Sequence, residues 1–277
     1  MKKFKFLLFA GIISILAVYS CKNDEQVVDN KEHELQSVKE VIEIQKEFSK
    51  VYKVSQSLFD EIKKEGRGFG FRDDCPQVTL DTASSGHLSV ILDFGDSCEL
   101  EDSIVASGKI TITLYGQRLR KPDSLVAVFD NFSVSDNTFS GTLVTINKGR
   151  DAQGRRQVNY ILRNGRFTDE NGNTMTMNFD RLHSWDNNGT PANFDDDILF
   201  ITGHSDGVTF SGVSFTSTIT TTLELPVSCG CIIKGVKEIS VDGSDVYSLD
   251  FGDGTCDDTA VLTHPDGTTE EITVCDL

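Results

Sequence analysis

From residue 75 onward, apolar and polar residues alternate with a period of two, the mark of strands that bury one face. Lys109-Ile110-Thr111-Ile112-Thr113-Leu114-Tyr115 shows the alternation most cleanly. The same pattern predicts strands over 77–80, 87–92, 125–132, 138–146, 156–167, 174–182, 198–203, 208–210, 213–224, 232–241, 246–251, 260–263 and 271–274. Turn chemistry punctuates the run at Ser85-Gly86, Ser140-Gly141, Asn164-Gly165, Asn171-Gly172, Asp206-Gly207, Ser211-Gly212, Asp242-Gly243 and Asp266-Gly267. Short connections between consecutive strands make sequence neighbours antiparallel partners. The expected fold class is therefore all-β, an antiparallel meander over residues 75–277. So many strands curl a sheet into a barrel, a roll or a two-layer sandwich.

Ahead of the strands the period changes. Leu35, Val38, Val41, Ile42, Phe48, Val51, Val54, Leu58 and Ile62 step mostly by three or four, with Glu and Lys between them. That spacing predicts a short N-terminal helical segment over 34–66, packed on the domain's own sheet and ended by Gly66 and Gly68. Residues 21–33 are polar and charged and read as a tether. Residues 1–20 carry Lys2, Lys3 and Lys5, then an apolar run from Phe6 to Val18, which is the form of a secretory signal peptide.

The chain has 277 residues, of which 38% are hydrophobic, enough for one domain with a true core or two small ones. Its net charge of −17 repels phosphate backbones, so no nucleic acid partner is expected. The same charge favours solubility, cations and basic partners.

The signal run ends in Leu16-Ala17-Val18-Tyr19-Ser20-Cys21. A small residue followed at once by cysteine resembles the lipobox of bacterial lipoproteins, which implies lipidation of Cys21 and a membrane partner through that lipid anchor. Lys22-Asn23-Asp24-Glu25-Gln26 then resembles the export signal of Bacteroidota-type surface lipoproteins, which implies an outer-membrane location, on the cell surface or the periplasmic leaflet.

Seven cysteines less Cys21 leave Cys75, Cys98, Cys229, Cys231, Cys256 and Cys275, an even set that reads as disulfides in an exported chain. A turn near Ser85-Gly86 sets Cys75 across from Cys98. A turn at Gly243-Ser244 sets Cys231 across from Cys256 and leaves Cys229 for Cys275. The swapped pairing, Cys229 with Cys256 and Cys231 with Cys275, needs only a small register change. No metal site is expected from Cys229-Gly230-Cys231, whose spacing is unlike zinc knuckles.

One motif occurs twice, as Leu92-Asp93-Phe94-Gly95-Asp96 and Leu249-Asp250-Phe251-Gly252-Asp253. The kinase reading of Asp-Phe-Gly fails, because no glycine-rich loop, paired lysine or His-Arg-Asp segment accompanies it. The second copy is similar to the signature of PKD-type sandwich modules but lacks their Pro-x-His-x-Tyr portion. In both copies the glycine is expected to bend the strand and the aspartate to bond turn amides. The longest irregular piece, Ser184–Asp197, holds the only tryptophan, Trp185, and the run Asp195-Asp196-Asp197. It is the candidate ligand loop, for Ca²⁺ or a glycan. No Ser-His-Asp order, Gly-x-Ser-x-Gly or His-Glu-x-x-His occurs, so no catalytic residue is assigned and no cofactor other than Ca²⁺ is considered.

Taken together, Cys75-Pro76 with Val78-Thr79 and Asp81, the two Asp-Phe-Gly-Asp copies, Gly108–Thr113, Phe129-Asp130-Asn131-Phe132 and Ile201-Thr202-Gly203 resemble a family of Bacteroidota-type lipoproteins over residues 75–275. The resemblance implies export, lipid anchoring and an all-β body, and it transfers no activity. The expected function is a non-enzymatic cell-envelope lipoprotein that binds or assembles with an envelope protein or glycan. The alternatives are a calcium- or glycan-binding module and, behind it, a glycan hydrolase.

Overall fold

The computed structural model describes residues 32–44, 75–81, 87–99, 105–116, 123–134, 137–190, 195–243 and 246–275. Residues 1–31, with the expected signal peptide and the expected tether at Cys21, lie outside the described residues, as do the helical stretch expected beyond residue 44 and the Ser85-Gly86 turn; residues 32–33, expected as tether, instead begin the helix.

Among the described residues one helix, α1, spans 32–44. Thirteen strands follow: β1 (Gln77–Asp81), β2 (Leu88–Glu99), β3 (Val105–Tyr115), β4 (Ser124–Val134), β5 (Asn137–Arg150), β6 (Arg156–Thr168), β7 (Thr174–Asp186), β8 (Ile198–Val208), β9 (Ser214–Pro226), β10 (Lys234–Val241), β11 (Val246–Asp253), β12 (Thr259–Thr263) and β13 (Thr269–Thr273). Every strand pairs antiparallel with its sequence neighbours in one sheet, an uninterrupted meander. Among the described residues no ladder joins β1 to β13, so the sheet is an open roll rather than a closed barrel. Both edge strands have only five residues, and β13 carries Glu270 and Glu271, features that discourage edge-to-edge pairing.

The contacts of α1 fix how tightly the sheet curls. Lys39 pairs with Glu270 of β13 at 3.2 Å. Ile44 shares a crevice with Phe139 of β5 and Met175 of β7. Five residues of helix span only about 7.5 Å. In a flat sheet β5 and β13 lie eight strand spacings apart, roughly 38 Å. The sheet therefore rolls round until distant strands meet the same helix. The predicted stripe points inward, with Val38 and Val41 fully buried and Ile44 2% exposed. At the same end Glu40 Oε2 accepts hydrogen bonds from the Ser211 amide and hydroxyl, both 3.1 Å. The strand alternation also holds: Ile110, Ile112 and Leu114 of β3 face the core with Leu92, Phe129, Leu249 and Leu262.

The repeated Asp-Phe-Gly-Asp motif is a bulge. Asp93 Oδ1 accepts a hydrogen bond from Gly95 N (3.1 Å), and Asp250 Oδ1 accepts one from Gly252 N (2.9 Å). Both glycines take positive φ, 61° and 94°. The ladder register shifts at each, while Phe94 and Phe251 stay in the core.

Three predicted turns are instead interior to strands. Ser140-Gly141 lies within β5, Asn164-Gly165 within β6, and Asp206-Gly207 within β8, which carries the predicted 198–203 strand on to Val208; Thr209 and Phe210, expected to belong to a separate 208–210 strand, lie in the turn to β9. The glycines serve close approach there. A Cβ on Gly165 meets the Met177 carbonyl oxygen at 2.6 Å, and one on Gly207 meets that of Thr176 at 1.9 Å.

Candidate functional site

All six body cysteines are paired. Cys75–Cys98 forms as expected, with Cα atoms 5.8 Å apart. The others pair as Cys229–Cys256 and Cys231–Cys275, the swapped arrangement, which corrects the Cys231–Cys256 expectation. The reason is that β10 begins only at Lys234, so Cys229 and Cys231 lie in the turn after β9 and outside the ladder whose register the expectation extended to them. That turn is closed by the Cys229 and Gly230 amides, which both donate to the Pro226 carbonyl, at 3.1 and 2.9 Å.

The candidate ligand loop is shorter than its sequence suggests. Ser184, Trp185 and Asp186 belong to β7, where Trp185 pairs with Arg156 and Leu199. In the loop proper, Asp196 Oδ2 accepts the Thr190 hydroxyl at 2.6 Å, and the Asp196 carbonyl accepts the Asn188 side-chain amide at 2.7 Å. Asp197 is largely buried, and its carbonyl accepts Val227 N at 2.9 Å. Asp195, Asp196 and Asp197 do not converge: among the described residues no three His, Cys, Asp or Glu side chains are placed to share a metal ion. Asp169, in the polar run Asp169-Glu170-Asn171-Gly172-Asn173, caps the β6–β7 turn. The Asn173 side-chain amide bonds to it at 2.8 Å, and the amides of Asn173 and Asn171 also donate, which together hold its carboxyl below the usual range.

The inner face carries an unexpected basic cluster. Along β7, Met175, Met177, Phe179, Arg181 and His183 share one face. The Arg181 guanidinium lies 4.8 Å from the Phe179 ring centroid, and the His183 ring lies 4.6 Å from that of Tyr160. Across the roll, Lys237 stands between Gly235 and Ile239 on the core face of β10 and is only 5% exposed. Burial, helped by the Arg181 charge, lowers Lys237 to about 7 and His183 to about 3, while burial lowers Arg181 to about 10. The cause is firmest at Lys237, because Arg181 and His183 keep part of their surface open.

On the outer face, β6, β7 and β8 frame a groove of about 460 Å³. The β6 bulge makes one wall: the ladder shifts between Leu162 and Gly165, leaving Arg163 and Asn164 projecting, with Asn164 at φ 51°. The β7–β8 ladder runs without a shift. Two rows of side chains therefore cross the groove. One is Ile161, Asp180 and His204; the other is Arg163–Asn164, Asn178 and Asp206. The second row is tied together. Asn178 Oδ1 accepts Asn164 N at 2.8 Å, and Asn178 Nδ2 donates to Asp206 Oδ2 at 3.1 Å. The side chains of Arg163, Asp180 and His204 make no hydrogen bond or ion pair with any described residue. Sequence reasoning missed this set, because each residue reads singly as an ordinary outward position of its strand.

No family model, curated protein or solved structure matches this chain. The groove and the inner cluster are therefore interpreted from their own chemistry.

Proposed function

We propose that the chain is a non-enzymatic, lipid-anchored lipoprotein of the cell envelope, carried on the outer membrane at Cys21. In this reading its rigid β body binds or assembles with another envelope component. The observation that supports it best is the complete pairing of the six body cysteines into three disulfides. Such bridges persist in oxidising compartments, which an exported chain reaches and a cytosolic one does not. Cys21 stands apart from that set, in the sequence context of a lipobox. An acyl group there, with the thirteen-strand body beyond it, makes a tethered, stapled platform.

The test is metabolic labelling of cells expressing the full chain with an alkynyl fatty acid. The parent is expected to carry the label and sediment with outer membranes, and Cys21→Ser is expected to lose both. An unlabelled parent overturns the anchor. Defined turnover of an envelope glycan by the full chain overturns the non-enzymatic half of the reading.

A further inference from the structure

We propose that the groove across β6, β7 and β8 is a binding site for a neutral oligosaccharide. The proposal rests on the chain being a binding protein, as argued above, and not on its anchor.

Size comes first. Three adjacent strands give a width of roughly 10 Å, and the two rows are about 7 Å apart along the strands. With a volume of about 460 Å³ the groove falls within the range of small-ligand sites. It suits one or two sugar rings laid across the strands.

Chemistry comes second. The groove presents both signs of charge without letting them neutralise one another. Asp180 and Asp206 are acceptors, Arg163 is a donor, and His204 offers a ring nitrogen to either role. A free anion meets two carboxylates, and a metal ion meets an arginine and lacks three converging ligands. A polyol carries donor and acceptor on every hydroxyl, so it can satisfy all four side chains together. Half-buried Ile161 supplies an apolar spot for the C–H face of a ring.

Preorganisation comes third. Asn178 is held from both sides, by Asn164 N and by Asp206, so its amide is fixed before a ligand arrives. Asp206 is thereby oriented with its other oxygen unused. Arg163, Asp180 and His204 stand ready without partners among the described residues. A rigid polar set of this kind binds without a large ordering cost.

The test uses the full chain in detergent micelles, titrated calorimetrically with malto-, cello-, xylo- and manno-tetraose, and with diglycine as a zwitterionic probe. The His204 imidazole is followed by NMR. At least one tetraose is expected to bind and to move the His204 signals. Asp180→Ala and His204→Ala are each expected to weaken that binding at least tenfold, since each removes a hydrogen bond to a charged or ring group. Their melting temperatures are expected to match the parent, and Asp195→Asn is expected to bind as the parent does. Binding of diglycine alone, binding of no tetraose, or sugar binding indifferent to Asp180→Ala and His204→Ala overturns the proposal. Loss of acylation at Cys21 overturns only the anchor, so the two failures are distinct.

Discussion

Lys237 gives the sharpest test of how the interior is built. It sits at a core position of β10, 5% exposed, and burial together with the Arg181 charge lowers it from 10.5 to about 7. Because the folded value is the lower one, the unfolded chain binds more protons between pH 7 and 10.5. Stability must therefore rise with pH across that window. Each unit of pKa difference corresponds to about 1.4 kcal/mol, so the gain between pH 7 and pH 10 is about 4 kcal/mol. Lys237→Met keeps the length of the side chain and removes the charge, so it removes this dependence. Urea denaturation of parent and variant at pH 7, 8, 9 and 10 measures the difference, and all other titrations cancel in it. The advantage of the variant over the parent is expected to shrink by about 4 kcal/mol from pH 7 to pH 10. Adding Arg181→Met to the parent is expected to move the midpoint of the parent's transition upward, because the repulsion from the Arg181 charge disappears. A parent–variant difference that stays constant with pH refutes the argument that Lys237 is depressed by burial.

The disulfide pattern is expected to appear in tandem mass spectra as Cys229 joined to Cys256 and Cys231 joined to Cys275. A Cys231–Cys256 link contradicts the fold at that end. Replacing Cys231 and Cys275 together by Ala opens a bridge of 44-residue separation and is expected to cost about 2–4 kcal/mol in guanidinium denaturation, the interleaved Cys229–Cys256 bridge limiting the loss. Gly207→Ala places a Cβ 1.9 Å from the Thr176 carbonyl oxygen, so the denaturation midpoint is expected to fall by the equivalent of about 2 kcal/mol or more. An unchanged midpoint shows that β7 and β8 are not so closely apposed.

Much of the architecture is written in local periodicity. The three-and-four spacing of Val38 and Val41 and the alternation of Ile110, Ile112 and Leu114 each name a buried face without help from distant residues. Glycine is harder to read, because it signals two different needs. At Gly172 and Gly243 it marks a turn, but at Gly165 and Gly207 it clears space for the neighbouring strand's carbonyl. Only the neighbour's register distinguishes these. The disulfides were ambiguous for a related reason: Cys229 and Cys231 are two residues apart in the turn before β10, where strand register does not decide which of them meets Cys256. Lys237 was legible by parity, since it shares a face with Ile239 and Val241, but its companions Arg181 and His183 come from another strand. The groove was beyond local reading, because its members come from β6, β7 and β8, and alignment of three strands brings them together.

That alignment also explains why a groove exists at this place. A regular antiparallel sheet has a shallow outer surface, and side chains of adjacent strands fill the space between them. At β6 the extra residue of the bulge lifts Arg163 and Asn164 away from β7 and breaks the cross-strand pairing that would close the gap. One strand further on, β7 and β8 stay in strict register, so Asp180 with His204, and Asn178 with Asp206, remain side by side as a floor. A bulged wall beside a regular floor is a depression, and the floor residues on β7 are the even-numbered ones. The odd-numbered residues of that strand, Phe179, Arg181 and His183, point to the interior. One strand thus divides the two chemistries. Substitutions at Asp180 are expected to change binding and leave the pH dependence of stability alone, whereas substitutions at Arg181 do the reverse. Stability and binding can therefore be varied separately at neighbouring positions of a single strand, and a substitution that moved both would mean that the inner cluster and the groove are coupled through β7.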